Sequence, residues 1–169
     1  MCEILEGKNS VCDSVGGVKK IVGFNTADAT ITEANGTISA LSLTSGKYGH
    51  VFYVEMETAK FDAKRIGDRK NQAIAYEQTG TMYLAGNTAT DIANLEALEI
   101  ARTTFAVELN DETWEVYFLK NGAFVSGVRD TGQAYEDANG NTLTLTGKEK
   151  NRPYKISSAL ITAILDPVS

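Results

Sequence analysis

The chain has one histidine, His50, and two cysteines, Cys2 and Cys12. These side chains are the usual metal ligands, nucleophiles and proton carriers near neutral pH, so they mark where chemistry would have to start. One imidazole cannot build a His-rich metal site. No H-x-x-x-H, no G-x-S-x-G and no Cys beside a His supplies a nucleophile with its base. His50 follows Gly46-Lys47-Tyr48-Gly49 and opens an apolar alternation, which makes it a strand-edge residue. Cys2 and Cys12 are separated by nine residues, unlike the C-x-x-C spacing of zinc and redox sites. In a chain long enough to build a core they read as reduced thiols. No metal or other cofactor is expected.

The remaining candidates also favour structure over catalysis. Gly16-Gly17 precedes Val18-Lys19-Lys20 without phosphate-loop spacing, and no strand–helix–strand unit follows, so a turn is expected. The oxygen-rich stretches 108–112 and 130–141 could attract calcium weakly, but neither has the register of a calcium loop, and both read as solvated hairpin turns. Trp114, Tyr117 and Phe118 share a strand without a basic stripe, which disfavours a stacking platform for oligonucleotides. They read as core and sheet-surface residues, with a carbohydrate-binding surface on Trp114 and the tyrosines as the alternative. No catalytic residues are expected, and the chain reads as a non-enzyme.

Composition bounds the elements that must carry any function. At 169 residues, 43% hydrophobic and 22% charged, the sequence has the makeup of one globular domain with its own core. A formal net charge of −6 disfavours a grip on nucleic acid or on an anionic membrane surface. Residues 1–7 carry acids where a secretory leader is basic, and the longest apolar run, 159–165, is about a third of a membrane span. The expectation is synthesis in the cytoplasm with no membrane insertion.

Hydrophobic periodicity is mostly two. Asn35-Gly36, Asn121-Gly122 and Asn139-Gly140 favour type I′ hairpin turns, because both central residues accept positive φ. Strands are predicted at residues 18–24, 37–43, 50–61, 73–84, 103–109, 113–120, 123–128 and 142–147, with 156–165 either strand or short helix. Residues 88–101 instead predict one helix, with Ile92, Leu95 and Leu98 near one face and Thr88 with Asp91 as a capping box. The fold class that follows is mainly β: an antiparallel β-sandwich or half-barrel with one flanking α-helix and a long protruding β-hairpin. The division is an N-terminal arm, 1–17, and a single domain, 18–169, with the hairpin at 50–84 and the helix at 88–101.

The hairpin is the most informative element. Phe52, Val54 and Met56 alternate with Tyr53, Glu55 and Glu57, while Ile74, Tyr76, Met82 and Leu84 alternate with Ala75, Glu77, Thr79, Thr81 and Tyr83. Each strand thus has a core face and an acidic or hydroxyl face. At about twice the usual strand length, both project beyond their core and need their edges used by partners. The predicted tip gathers Lys60, Lys64, Arg65, Arg69 and Lys70 against Asp62 and Asp68, a charge cluster able to steer docking on an acidic neighbour.

In order, the chain has an N-terminal extension, a long hairpin with a charged tip, a helix and further hairpins. That order resembles the tail tube (major tail) proteins of long-tailed bacteriophages. Residues 12–20 (CDSVGGVKK) and 131–149 (TGQAYEDANGNTLTLTGKE) are similar to the start and the C-terminal hairpin of structural proteins carried by Bacteroides-type phages. The resemblance implies a virion structural protein of the tail, whose hexameric rings stack into a tube that conducts DNA during ejection. Its partners would be further copies of itself, other tail or neck proteins, and genomic DNA passing non-specifically. Glu55, Glu57, Glu77, Thr79 and Thr81 would then face the lumen. Lys64, Arg65, Asp68, Arg69 and Lys70 would contact the next subunit or ring, and the arm and 156–165 would brace neighbours. The alternative is a head–tail connector, collar ring or capsid decoration protein of similar fold.

Overall fold

Period-two alternation produces two sheets, in a computed structural model that describes residues 15–68 and 70–167. Cys2, Cys12, most of the predicted arm and Arg69 lie outside the described residues. In chain order the strands are β1 (Val18–Asn25), β2 (Ala29–Ala34), β3 (Thr37–Leu43), β4 (His50–Phe52), β5 (Ala59–Ile66) and β6 (Ala75–Ala85). After helix α1 (Ala89–Ile100) come β7 (Thr103–Leu109), β8 (Trp114–Tyr117), β9 (Phe124–Asp130), β10 (Gly140–Glu149) and β11 (Tyr154–Ile156), and then helix α2 (Ser158–Ile164). A seven-stranded sheet has the order β2-β3-β11-β8-β7-β1-β4, and a four-stranded sheet the order β5-β6-β10-β9. The protein is mainly β, two packed sheets with helices at their flanks.

The large sheet is buried on both faces at its centre, which is why β7 is buried at every position from Thr103 to Val107. On one face Ile21, Phe105, Val107 and Phe118 meet Met82, Leu143 and Leu145 of the small sheet. On the other, Val22, Phe24, Ala106 and Val116 are covered by Ile161 and Ile164 of α2 together with Tyr154 and Ile156. Fully burying one such side chain contributes about 1.5–3 kcal/mol, so this three-layer core is what holds the sheets in place. Buried polar groups are paired across it. Gln78 accepts from the Phe118 N–H at 2.6 Å and donates to the Asn151 carbonyl at 3.3 Å, and Thr104 donates to the Phe118 carbonyl at 3.1 Å.

The helix begins as expected: Thr88 accepts from the Asp91 N–H at 3.2 Å and its own N–H donates to the Asp91 carboxylate at 2.8 Å. The Thr88 N–H and, at 2.7 Å, the Thr88 hydroxyl both bond to that carboxylate and hold the Asp91 carboxyl below its ordinary range.

Several expectations need correction. The predicted strand 50–61 is two strands in different sheets. β4 pairs with β1, the chain crosses the open side of the sandwich at 53–58, and β5 pairs with β6. The crossing is a turn in which Thr58 N–H donates to the Glu55 carbonyl at 3.2 Å and Glu57 has φ +65°. Phe52 and Val54 still pack on the core, but Met56 is 80% exposed. The predicted strand 73–84 starts later, at Ala75, leaving Ile74 exposed in the hairpin end. β2 was not among the predicted strands. Of the three Asn-Gly pairs, Asn35 and Gly36 alone both have positive φ, at 50° and 78°. At Asn121-Gly122 it is Phe118 and Gly122 that take positive φ, and Asn139-Gly140 closes the loop 131–139 and leads into β10. Residues 156–165 are the end of β11 plus α2. Ile156, Ile161 and Ile164 of that segment are buried in the core, while Ser158, Ala159, Thr162 and Ala163 are exposed.

Candidate assembly face and edges

The small sheet turns Met82, Val125, Leu143 and Leu145 inward, so the alternate residues form its outer face. Register places Thr81 beside Thr144, and Thr144 beside Ser126; Thr79 lies beside Thr146, and Tyr83 beside Thr142. The β10 alternation of exposed Thr142, Thr144 and Thr146 with buried Leu143 and Leu145 generates this hydroxyl surface. Thr79 and Thr81 thus share the solvent-facing parity read from the sequence, and the Thr-Leu-Thr-Leu-Thr run was the unused signal for the rest.

The charges are arranged differently from expectation. Glu77 is on the outer face, but Glu55 and Glu57 lie in the 53–58 turn and are not beside it. Lys64 and Lys148 stand opposite Glu77 on either side, and Lys60 pairs with Asp62 at 3.1 Å. The face is therefore hydroxyl-rich with opposed charges, not acidic. Lys64 and Arg65 belong to β5 itself rather than to the hairpin end. Asp68 shapes that end: its carboxylate accepts from the Lys70 N–H at 2.9 Å and its carbonyl from the Ala73 N–H at 3.3 Å.

The sheet edges carry more information than its face. In an antiparallel sheet, successive residues of a strand point their N–H and C=O alternately to either side. The Tyr83 N–H donates to the Thr58 carbonyl at 3.2 Å, so Tyr83, Thr81 and Thr79 bond towards β5 and Met82 and Gly80 towards β10. Continuing across the register, Leu143 and Leu145 bond towards β6, and Thr142, Thr144 and Thr146 towards β9. Val125, Gly127 and Arg129 then direct their backbone groups away from the sheet. An independent bond agrees: the Gly127 N–H donates to the Glu99 carboxylate of α1 at 2.9 Å. On the opposite edge, Ala59, Phe61, Ala63 and Arg65 of β5 point their backbone groups outward. Both sheet edges thus present their outward backbone groups on residues of the inner-face parity, although Ala63, Arg65, Gly127 and Arg129 are themselves exposed, and β5 runs antiparallel to β9. The even strand number makes the two edges antiparallel and gives them the same parity, and the Tyr83–Thr58 bond sets which parity it is.

Other surfaces offer less chemistry. His50 is exposed on β4, the edge strand of the large sheet, beside an open cleft of about 460 Å³ that includes Phe52, Asn94 and Leu98. Among the described residues no group of three or more His, Cys, Asp or Glu side chains could hold a metal ion. The acidic stretches serve their own turns: Asp111 accepts from the Thr113 N–H at 3.0 Å, and Asp137 accepts from the N–H groups of Gln133 at 2.8 Å and Ala134 at 2.7 Å. Trp114 and Tyr117 are buried and Phe118 has no exposure, so Trp114 provides no sugar-stacking surface. Burial, with the Glu115 carboxylate 2.9 Å from its hydroxyl, pushes the Tyr117 phenol well above its ordinary range. No helix of the described residues is long and apolar enough to cross a membrane. Comparison with protein-family models, with curated proteins and with solved structures finds no match.

Proposed function

We propose that the protein is a structural subunit of a phage tail tube, in which copies join through the β9 and β5 edges of the small sheet into a closed ring and rings stack into a DNA-conducting tube. The observation that carries this reading is the match between the two edges. Rotation about a ring axis brings β9 of one copy antiparallel to β5 of the next, with residues of the inner-face parity opposite one another. The hydroxyl face then continues unbroken around the inside. An odd number of strands would instead bring the two edges together parallel.

Size selects among ring orders. With strands about 4.8 Å apart and tilted about 40°, six copies give a barrel about 48 Å across its backbone, while three give about 24 Å. Allowing for side chains on both walls, three copies exclude a duplex roughly 20 Å wide and six pass it. A wall of hydroxyls with opposed charges attracts phosphates weakly, which suits a conduit. Closure also removes the exposed strand edges that would otherwise drive open-ended aggregation.

Electron microscopy of the purified full-length protein over a range of concentrations tests the reading. Closed rings or tubes with a central bore are expected. A strictly monomeric particle at high concentration, or open fibres without a bore, refutes it. Labelling intact virions separates a tail location from a head or collar location.

A further inference from the structure

We infer that Glu99 of α1 is a latch that caps the β9 edge in the free subunit and must release before a second copy can pair there; this rests on the ring reading above. The three outward residues of β9 are Val125, Gly127 and Arg129, and the middle one is occupied by the Glu99 carboxylate at 2.9 Å. An incoming strand therefore meets a filled donor at the centre of its docking line. Covering an edge in this way is a recognised protection against premature pairing.

Glu99 is poorly placed for helix stability, which points to an edge-directed role. It lies in the last turn of α1, where the helix dipole disfavours a carboxylate, and no basic residue there offsets it. The helix is lightly held: none of its residues is fully buried, Leu95 and Leu98 pack on the core from half-buried positions, and Ile100 is 87% exposed. Gly127 completes the arrangement. A Cβ there would lie 2.5 Å from Glu99 Oε1 and 3.1 Å from Leu143 Cδ2, so the absence of a side chain lets the carboxylate reach the edge from the inner side. Because α1 itself packs against β9, release draws the helix back together with the Glu99 side chain, while the helix start stays anchored by its capping box. The incoming strand exchanges the carboxylate for a backbone carbonyl, and the lost charge-assisted bond sets the concentration that assembly must exceed.

The test measures the assembly threshold of the full-length protein by sedimentation velocity and light scattering for the wild type, Glu99→Ala and Gly127→Ala. The two substitutions open the latch from opposite sides, one by removing the carboxylate and the other by displacing it with a methyl group. Each is expected to lower the threshold about tenfold, the factor carried by one charge-assisted hydrogen bond. In the free subunit, hydrogen exchange at the Gly127 amide should be slow in the wild type and fast in Glu99→Ala. If one variant fails to fold, the other decides. Equal thresholds or equal Gly127 exchange overturn the latch and leave the ring reading standing. Lowered thresholds that yield open filaments uphold the latch and refute the ring. A wild type and variants that all remain monomeric refute both.

Discussion

Two adjacent proline substitutions on β5 should have opposite consequences, because neighbouring residues send their N–H groups in opposite directions. The Thr58–Tyr83 bond fixes the alternation: Asp62 N–H points to Thr79 inside the sheet, and Ala63 N–H points out of its free edge. Proline at 62 removes an internal ladder bond and should destabilise the monomer by about 3 kcal/mol. For a chain of this size that lowers Tm by about 6–12 °C. Ala63 is exposed, so proline there removes no internal bond and should change monomer stability by no more than about 1 kcal/mol. Each subunit contributes one seam to a ring, however, and Ala63→Pro leaves a carbonyl of the neighbouring strand unpaired in every seam. At about 1.5–3 kcal/mol per subunit, the threshold for ring formation should rise roughly 10- to 150-fold. Differential scanning calorimetry and sedimentation velocity on both variants make the comparison. Rings of Ala63→Pro forming at the wild-type threshold would refute edge pairing. A collapse of its melting temperature comparable to that of Asp62→Pro would refute the assignment of strand direction.

Three further outcomes test the scaffold. Glu149 is buried and its Oε1 accepts from the N–H groups of Lys120 at 3.1 Å and Asn121 at 2.8 Å; Glu149→Ala should cost about 2–4 kcal/mol by urea unfolding, and Glu149→Gln, which keeps an acceptor, about half as much. Bonds from the Ala134 and Gln133 N–H groups lower the Asp137 carboxyl pKa below 3.8, so the order these bonds give to loop 131–139 is present above the unfolded pKa near 3.8 and lost as pH falls through the folded value. Amide shifts of Gln133 and Ala134 should therefore titrate with a midpoint below 3.8 and stop titrating in Asp137→Asn. Trp114→Ala should cost about 3–5 kcal/mol by creating a core cavity, with no glycan-array signal in either protein.

The sequence disclosed the elements whose local and tertiary signals agree. β1, β3, β7 and α1 fall within a residue or so of their expected positions, because alternation, capping chemistry and burial favour the same bounds. The 50–61 segment shows where agreement stops. Its apolar alternation passes from Phe52 to Val54 without interruption, yet Glu57 turns the chain from one sheet to the other, and no glycine or proline marks that turn. Parity alone therefore placed Glu55 and Glu57 beside Glu77. β2 was overlooked because Thr30, Ile31 and Thr32 occupy a short, half-exposed edge strand whose pattern is hardly distinguishable from a polar loop. The edge match was not legible at all, since strand order and hydrogen-bond direction belong to the register of the folded sheet and leave no trace in composition.

The two sheets differ in how complete they are within one protomer. The large sheet is covered by the small sheet on one face and by α2 on the other, where its own β3 and β11 side chains pack with the helix, so it already has most of what it needs. The small sheet has an exposed face, and its β9 edge carries Phe124 and Val128, 68% and 63% exposed. On an isolated subunit these two apolar side chains flank Ser126 at the rim of an otherwise polar surface. In the ring they would lie against the outer row of the next copy's β5, Lys60, Asp62 and Lys64, whose aliphatic stems can cover them while their charged ends remain in solvent. Under edge pairing their exposure would have a physical use, and the β9 edge they line is the one where Glu99 stands against Gly127.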